Sequence, residues 1–193
     1  MKYITIMIGL LWHTMAIADT TGNRPQSVDA LELDSTYIMN TYKNSNYSDE
    51  AVNCMVQNLY HEARGEGFAG MYAVAMVVMN RVQDNRYPDT ICGVVHQGPL
   101  DSNGMPKRYR CQFSWWCDGK SDEMHDVEAF ELSKKIAQLV LSSSETQGKA
   151  IILIDLTEGA THYHTIEVEP NWIDDRGMKK VGRLGQHIFY RWG

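Results

Sequence analysis

The residues with the clearest capacity for chemistry are two glutamates four apart, Glu62 and Glu66, in the stretch HEARGE at 61–66. On a helix that spacing puts both carboxylates on one side. Gly65 ends such a helix, so Glu62 falls in its last turn beside Leu59 and Tyr60. Desolvation and the negative end of the helix dipole both disfavour ionisation there, so the Glu62 pKa should be raised. That is the state a general acid needs at neutral pH. Arg64 is expected to hold Glu66 ionised or to pair with another carboxylate. Spacing alone also fits a solvated salt-bridge face. A second constellation is His162 and His164, two apart. On a strand they point the same way and would reach a zinc ion with His61 or His187. Against this, Gly65 stands where an H-E-x-x-H motif needs its second histidine.

The elements that must position these residues read as three regions. Ser48 N-caps a first helix whose opening turn holds Asp49 and Glu50, and Ala51, Met55, Leu59 and Ala63 line its apolar face. A second helix fits 68–82 and a third 122–142, each with apolar residues at 3–4 spacing. Between them, 98–120 is a long loop with an aromatic cluster, of the kind that is usually functional. After an apolar run at 150–154, segments 161–166 and 187–190 are rich in β-branched and aromatic residues and bounded by glycines. They predict a small antiparallel hairpin. The fold class is α+β, mostly helical, in one domain over 48–193.

Composition excludes several classes. Of 193 residues, 44% are apolar and 22% charged, which is ordinary for a globular chain. The net charge is -6 and no Lys/Arg block exceeds two, so no nucleic-acid partner is expected. Residues 1–18 read as a signal peptide: Lys2, then an apolar run over 4–15, then Ala16 and Ala18 before the cleavage point. The run is too short to span a membrane, so no integral span is expected after cleavage. Residues 19–47 are polar and read as a flexible lead-in, with one short helix at 30–42. In an exported chain the four cysteines, Cys54, Cys92, Cys111 and Cys117, favour two disulfides in any of three connectivities.

Five stretches then stand in one order: NLYHEARGE at 58–66, GMYAVAMVVMNRV at 70–82, YPDTICGVVHQ at 87–97, CQFSWWCDG at 111–119, and THYH at 161–164 with PNW at 170–172 and GQHIFY at 185–190. Together they resemble the SleB/CwlJ-type cell wall hydrolases, the family of spore-cortex-lytic enzymes. The resemblance covers about 50–192 and implies a lysozyme-like, lytic-transglycosylase-like fold acting on peptidoglycan glycan strands. It implies Glu62 as the catalytic acid, with Tyr163 beside it and Gln112, Phe113 and Ser114 as a substrate loop. Glu66, past the helix-ending Gly65, is expected to orient. Trp115, Trp116 and Trp172 can stack on sugar faces, with one of the three expected to do so because a Trp in a small domain is more often core; the candidate substrate contacts are Trp115, His162 and Trp172. His61 departs from the small or aromatic residue usual at that place. Glu66 and Asp118 are the candidates for a second carboxylate, and Asp118 beside Gly119 reads as turn chemistry. With no base placed for water, the expected reaction is non-hydrolytic, without cofactor or metal, by an exported monomer. The rival readings are a zinc-dependent peptidoglycan amidase or peptidase using His162 and His164, and a non-catalytic glycan-binding module.

Overall fold

The computed structural model describes residues 47–143 and 155–193. The expected leader at 1–18, all but the last residue of the expected lead-in with the helix expected at 30–42, and the apolar run at 150–154 lie outside the described residues. Helix α1 spans Asp49–Ala63 and starts as the sequence predicts: the Ala51 amide donates to Ser48 Oγ at 3.2 Å. It buries Met55, Leu59, Tyr60 and Ala63. Helix α2, Gly67–Gln83, is nearly apolar all round because it is covered all round. Met71, Val74, Ala75 and Val78 face the helical core. Ala73 and Val77 face a second cluster with Ala160 and Phe189 of the sheet side. Each large side chain buried in this way contributes about 1.5–3 kcal/mol.

A short helix, α3 (Ile91–Val95), has no counterpart in the sequence reading; Thr90 caps it, with the Gly93 amide donating to Thr90 Oγ1 at 3.1 Å. Helix α4 covers Val127–Ser143. Its start lies five residues later than the sequence reading at 122 because Asp126 is the cap, accepting from the Ala129 amide at 3.0 Å. Tyr60 Oη accepts the Asp126 N–H at 3.0 Å and so pins that cap to α1. Disulfides join Cys54 to Cys92 and Cys111 to Cys117.

The expected hairpin is a three-stranded antiparallel sheet. Strands β1 (His162–Thr165), β2 (Met178–Leu184) and β3 (His187–Trp192) lie in the order β1-β3-β2. β2 escaped the sequence reading because MKKVGRL lacks alternation. It is an edge strand with an irregularity between Lys180 and Gly182, where lysines and a glycine are tolerated. Tyr163 pairs with Phe189 across β1 and β3, so both share the face that packs on α2. His162 and His164 project from the opposite face.

Candidate active site

The last turn of α1 and the middle of β1 meet at Glu62. Tyr163 Oη donates to Glu62 Oε2 at 2.8 Å, across 101 residues of sequence. The other carboxyl oxygen makes no hydrogen bond among the described residues. Burial raises the Glu62 pKa, and the Tyr163 hydrogen bond and the charge of Arg81 oppose it more weakly. Burial and the neighbouring Glu62 push the Tyr163 phenol well above its ordinary value. The phenol therefore keeps its proton and remains a donor.

Arg81 is the member of this site that the sequence reading missed. It is 4% exposed. Its Nε donates to the Thr161 carbonyl at 2.8 Å, two residues before Tyr163. Its guanidinium lies 5.3 Å from the Tyr87 ring centre and 5.1 Å from that of Phe113. The available signal was an arginine following the apolar run of α2, where a solvated charge would be out of place.

Glu62 opens onto a groove of about 420 Å³ whose lining includes His61, Ser114, Trp115, Asp118 and Asp122. His61 stacks on Trp115 with ring centres 4.7 Å apart, and its Nε2 lies 3.3 Å from the Asp122 carbonyl oxygen. Burial lowers its pKa, which keeps it neutral at physiological pH. Trp115 is buried, donates to Asn58 Oδ1 at 3.0 Å, and has one face covered by His61. It walls the groove and is not a free platform. Ser114 is exposed in the groove and opens a 3-10 turn, Ser114–Cys117. The late start of α4 leaves 121–126 outside regular structure, and Ser121, Asp122, Glu123 and His125 line the groove.

Other expected contacts lie elsewhere. Phe113 is 2% exposed and fills the core beneath Arg81. Gln112 is exposed, with its amide donating to the Gln97 carbonyl at 2.8 Å. His162 and Trp172 sit 5.3 Å apart on the outer sheet face, away from the Tyr163 side. Burial there lowers the His162 pKa to about 4. Glu66 does not pair with Arg64. It accepts the Gln186 amide at 2.7 Å, while Arg64 lies 5.3 Å from the Tyr60 ring centre. Asp118 does form a turn, accepting the Lys120 amide at 2.8 Å, yet it also lines the groove. Its contacts to Lys120 hold its pKa below the ordinary value.

The histidines do not converge. His164 uses both ring nitrogens, with Nδ1 2.8 Å from the Thr165 carbonyl and Nε2 3.1 Å from Tyr190 Oη. His187 lies on the opposite face, 4.9 Å from the Tyr163 ring. Among the described residues no group of three metal-ligating side chains forms.

Residues 65–190 match the family model described as Cell Wall Hydrolase. The chain belongs to the cell wall hydrolase family. Its relatives include a spore cortex-lytic enzyme of Halalkalibacterium halodurans, 30% identical over 148 residues, covering 74% of this chain and 35% of that one. The Bacillus subtilis spore cortex-lytic enzyme is 26% identical over 148 residues, covering 74% and 38%. The chain thus aligns with less than half the length of these curated relatives. The catalytic domain of the germination-specific lytic transglycosylase SleB from Bacillus anthracis superposes with a TM-score of 0.51 at 25% identity, over 76% of this chain and 98% of that domain. The cell wall hydrolase fold read from the sequence is therefore the fold observed; Tyr163 lies inside the stretch matched by the family model, and Glu62 stands three residues before its start.

Proposed function

We propose that this cell wall hydrolase cleaves peptidoglycan glycan strands between N-acetylmuramic acid and N-acetylglucosamine, by a lytic transglycosylase reaction that uses Glu62 twice. The observation that carries the reading is the 2.8 Å hydrogen bond from Tyr163 to a desolvated Glu62 facing a groove. Likeness to a structure titled a lytic transglycosylase supports it. In the first half, protonated Glu62 gives its proton to the glycosidic oxygen as the C1–O bond breaks. In the second, the C6 hydroxyl of the muramyl residue attacks C1 and returns its proton to Glu62. The product is a 1,6-anhydro sugar, and no water is consumed. The attacking group belongs to the substrate, so its effective concentration far exceeds that of an intermolecular nucleophile. Tyr163 steadies the carboxylate between halves through a charge-assisted bond. Ser114, exposed in the groove lining, bonds the sugar in this reading. Glu66 acts on this scheme as an orienting residue.

The functional unit in this reading is 48–193. Residues 1–18 direct export with cleavage after Ala18, and the enzyme works as a monomer in the periplasm or extracellular wall. Among the described residues no helix is long and apolar enough to cross a membrane.

One observation favours a second reading. Asp118 shares the groove with Glu62 and is held ionised, as a base for water must be. Digestion in oxygen-18 water separates the two. Anhydro-muramyl ends without label are expected; label in new reducing muramic-acid ends would establish attack by water and overturn the transglycosylase reading.

A further inference from the structure

The hairpin that leads into the groove carries charge and aromatic surface that bond cleavage does not use. Residues 99–110 place Lys107, Arg108 and Arg110 against the single carboxylate of Asp101, in a chain of net charge -6. That carboxylate is turned inward: Asp101 Oδ1 accepts the Asn103 amide at 2.8 Å and the Met105 amide at 2.9 Å. The hairpin is fixed against the groove rim. Arg108 Nε donates to the Asp118 carbonyl at 3.1 Å, and the Tyr109 amide donates to the Cys117 carbonyl at 3.0 Å. The Cys111–Cys117 disulfide closes the same corner.

Tyr109 adopts φ 59°, a left-handed backbone that costs a non-glycine residue roughly 1–2 kcal/mol. The residue is 66% exposed, with the Arg108 guanidinium 4.9 Å from the ring centre. Lys107 and Arg110 are exposed and take part in none of the ion pairs among the described residues. The groove lining carries charges of both signs, with Asp118, Asp122 and Glu123 beside Arg64 and Lys120. The hairpin offers cations outside any of these ion pairs, which attract an anionic substituent on a strand bound nearby.

We propose that Lys107, Tyr109 and Arg110 form a rim subsite for the carboxylate-bearing peptide side chains of peptidoglycan, so that peptide-substituted strands bind better than bare glycan. The proposal rests on the glycan-cleaving reading above. It favours the peptide over an anionic lipid surface because Arg108 and Tyr109, between the two cations, are bonded to residues 118 and 117 at the groove edge, whereas the exposed Leu100 and Met105 lie toward the hairpin tip.

The test is binding of two soluble strand preparations of equal length, one with peptides intact and one stripped by an amidase. Fluorescence anisotropy with the Glu62→Gln protein reads binding without cleavage. The intact strands should bind about 3- to 10-fold tighter, the scale expected of two exposed ion pairs, and less so at high salt. The double variant Lys107→Ala/Arg110→Ala in the same background should abolish the preference, with unchanged binding of stripped strands and an unchanged melting temperature. Equal affinities for the two preparations, or a preference that survives the double variant, would overturn the subsite. So would charge-dependent capture on phosphatidylglycerol vesicles without discrimination between strands. Cleavage by the unaltered enzyme is scored separately: a binding preference with neither preparation cut would sink the glycan-cleaving reading and leave the subsite standing.

Discussion

Glu62 is controlled by two opposing influences on one carboxyl. Burial favours the protonated form, while Tyr163 and Arg81 favour the charged one. On the proposed mechanism the first serves a proton donor and the second serves the base that the donor becomes. Glu62→Gln should lower the cleavage rate roughly 10²- to 10⁴-fold, measured as release of anhydro-muropeptides. Stability should move the other way. A carboxyl whose pKa is raised by folding stabilises the fold in its protonated form. That contribution is complete below the ordinary value of 4.5 and is lost as pH rises through the raised value. Gln cannot ionise, so calorimetry should find equal melting temperatures at about pH 4 and a higher one for the variant at about pH 8. A variant less stable than the parent at the higher pH would mean that the Glu62 carboxylate is net stabilising. At this scale the desolvated Glu62 carboxyl and the direction of its pKa were legible in the sequence, because helix position, apolar neighbours and the Gly65 stop are local facts. Arg81 was not legible. Its meaning depends on the Thr161 carbonyl and the rings of Tyr87 and Phe113, which only the folded chain brings to it.

Between elements, Glu66 links the start of α2 to the turn joining β2 and β3. Its carboxylate receives the Gln186 amide, and the adjacent Gly185 has φ 58°. A Cβ at 185 would collide with Glu66 Oε2 and would also be strained by that backbone. Gly185→Ala should therefore cost about 1–3 kcal/mol, roughly 3–10 °C in thermal unfolding. Glu66→Gln keeps an acceptor oxygen and should cost only about 1 kcal/mol, with a smaller loss of activity than Glu62→Gln. Equal activity losses from two folded variants would give Glu66 a place in the chemistry. The helices were readable because 3–4 spacing and the Ser48 cap are written locally. The late start of α4 was not, since apolar spacing does not reveal that Asp126 is the cap. His162 and Trp172 read as substrate contacts for a similar reason. Strand alternation separates His162 from Tyr163, but which face meets α2 is decided by packing.

For the molecule as a whole, α2 is the common support. Helices cover one side of it and the sheet the other, so the Glu62 carboxyl on α1 and the Tyr163 phenol on β1 are both referenced to one rigid rod. The even cysteine count made two disulfides legible, but three pairings were equivalent until α1 and α3 packed together. The Cys54–Cys92 bridge closes 38 residues and the Cys111–Cys117 bridge closes 6. Loop-closure entropy assigns them about 4 and about 2 kcal/mol. Replacing Cys54 and Cys92 by Ser should thus depress the melting temperature about twice as far as replacing Cys111 and Cys117. The reverse order would show that the small loop matters more to global stability than its length implies. The distance in sequence between Glu62 and Tyr163 has a consequence in time. A ribosome completes α1 while its hydrogen-bonding partner is still 101 residues from being made. A nascent chain, or one terminated before β1, carries the acid with neither its phenol nor the sheet that holds it. On the proposed mechanism, destructive capacity arrives only with the C-terminal strands, and a prematurely ended product is harmless to the wall around it.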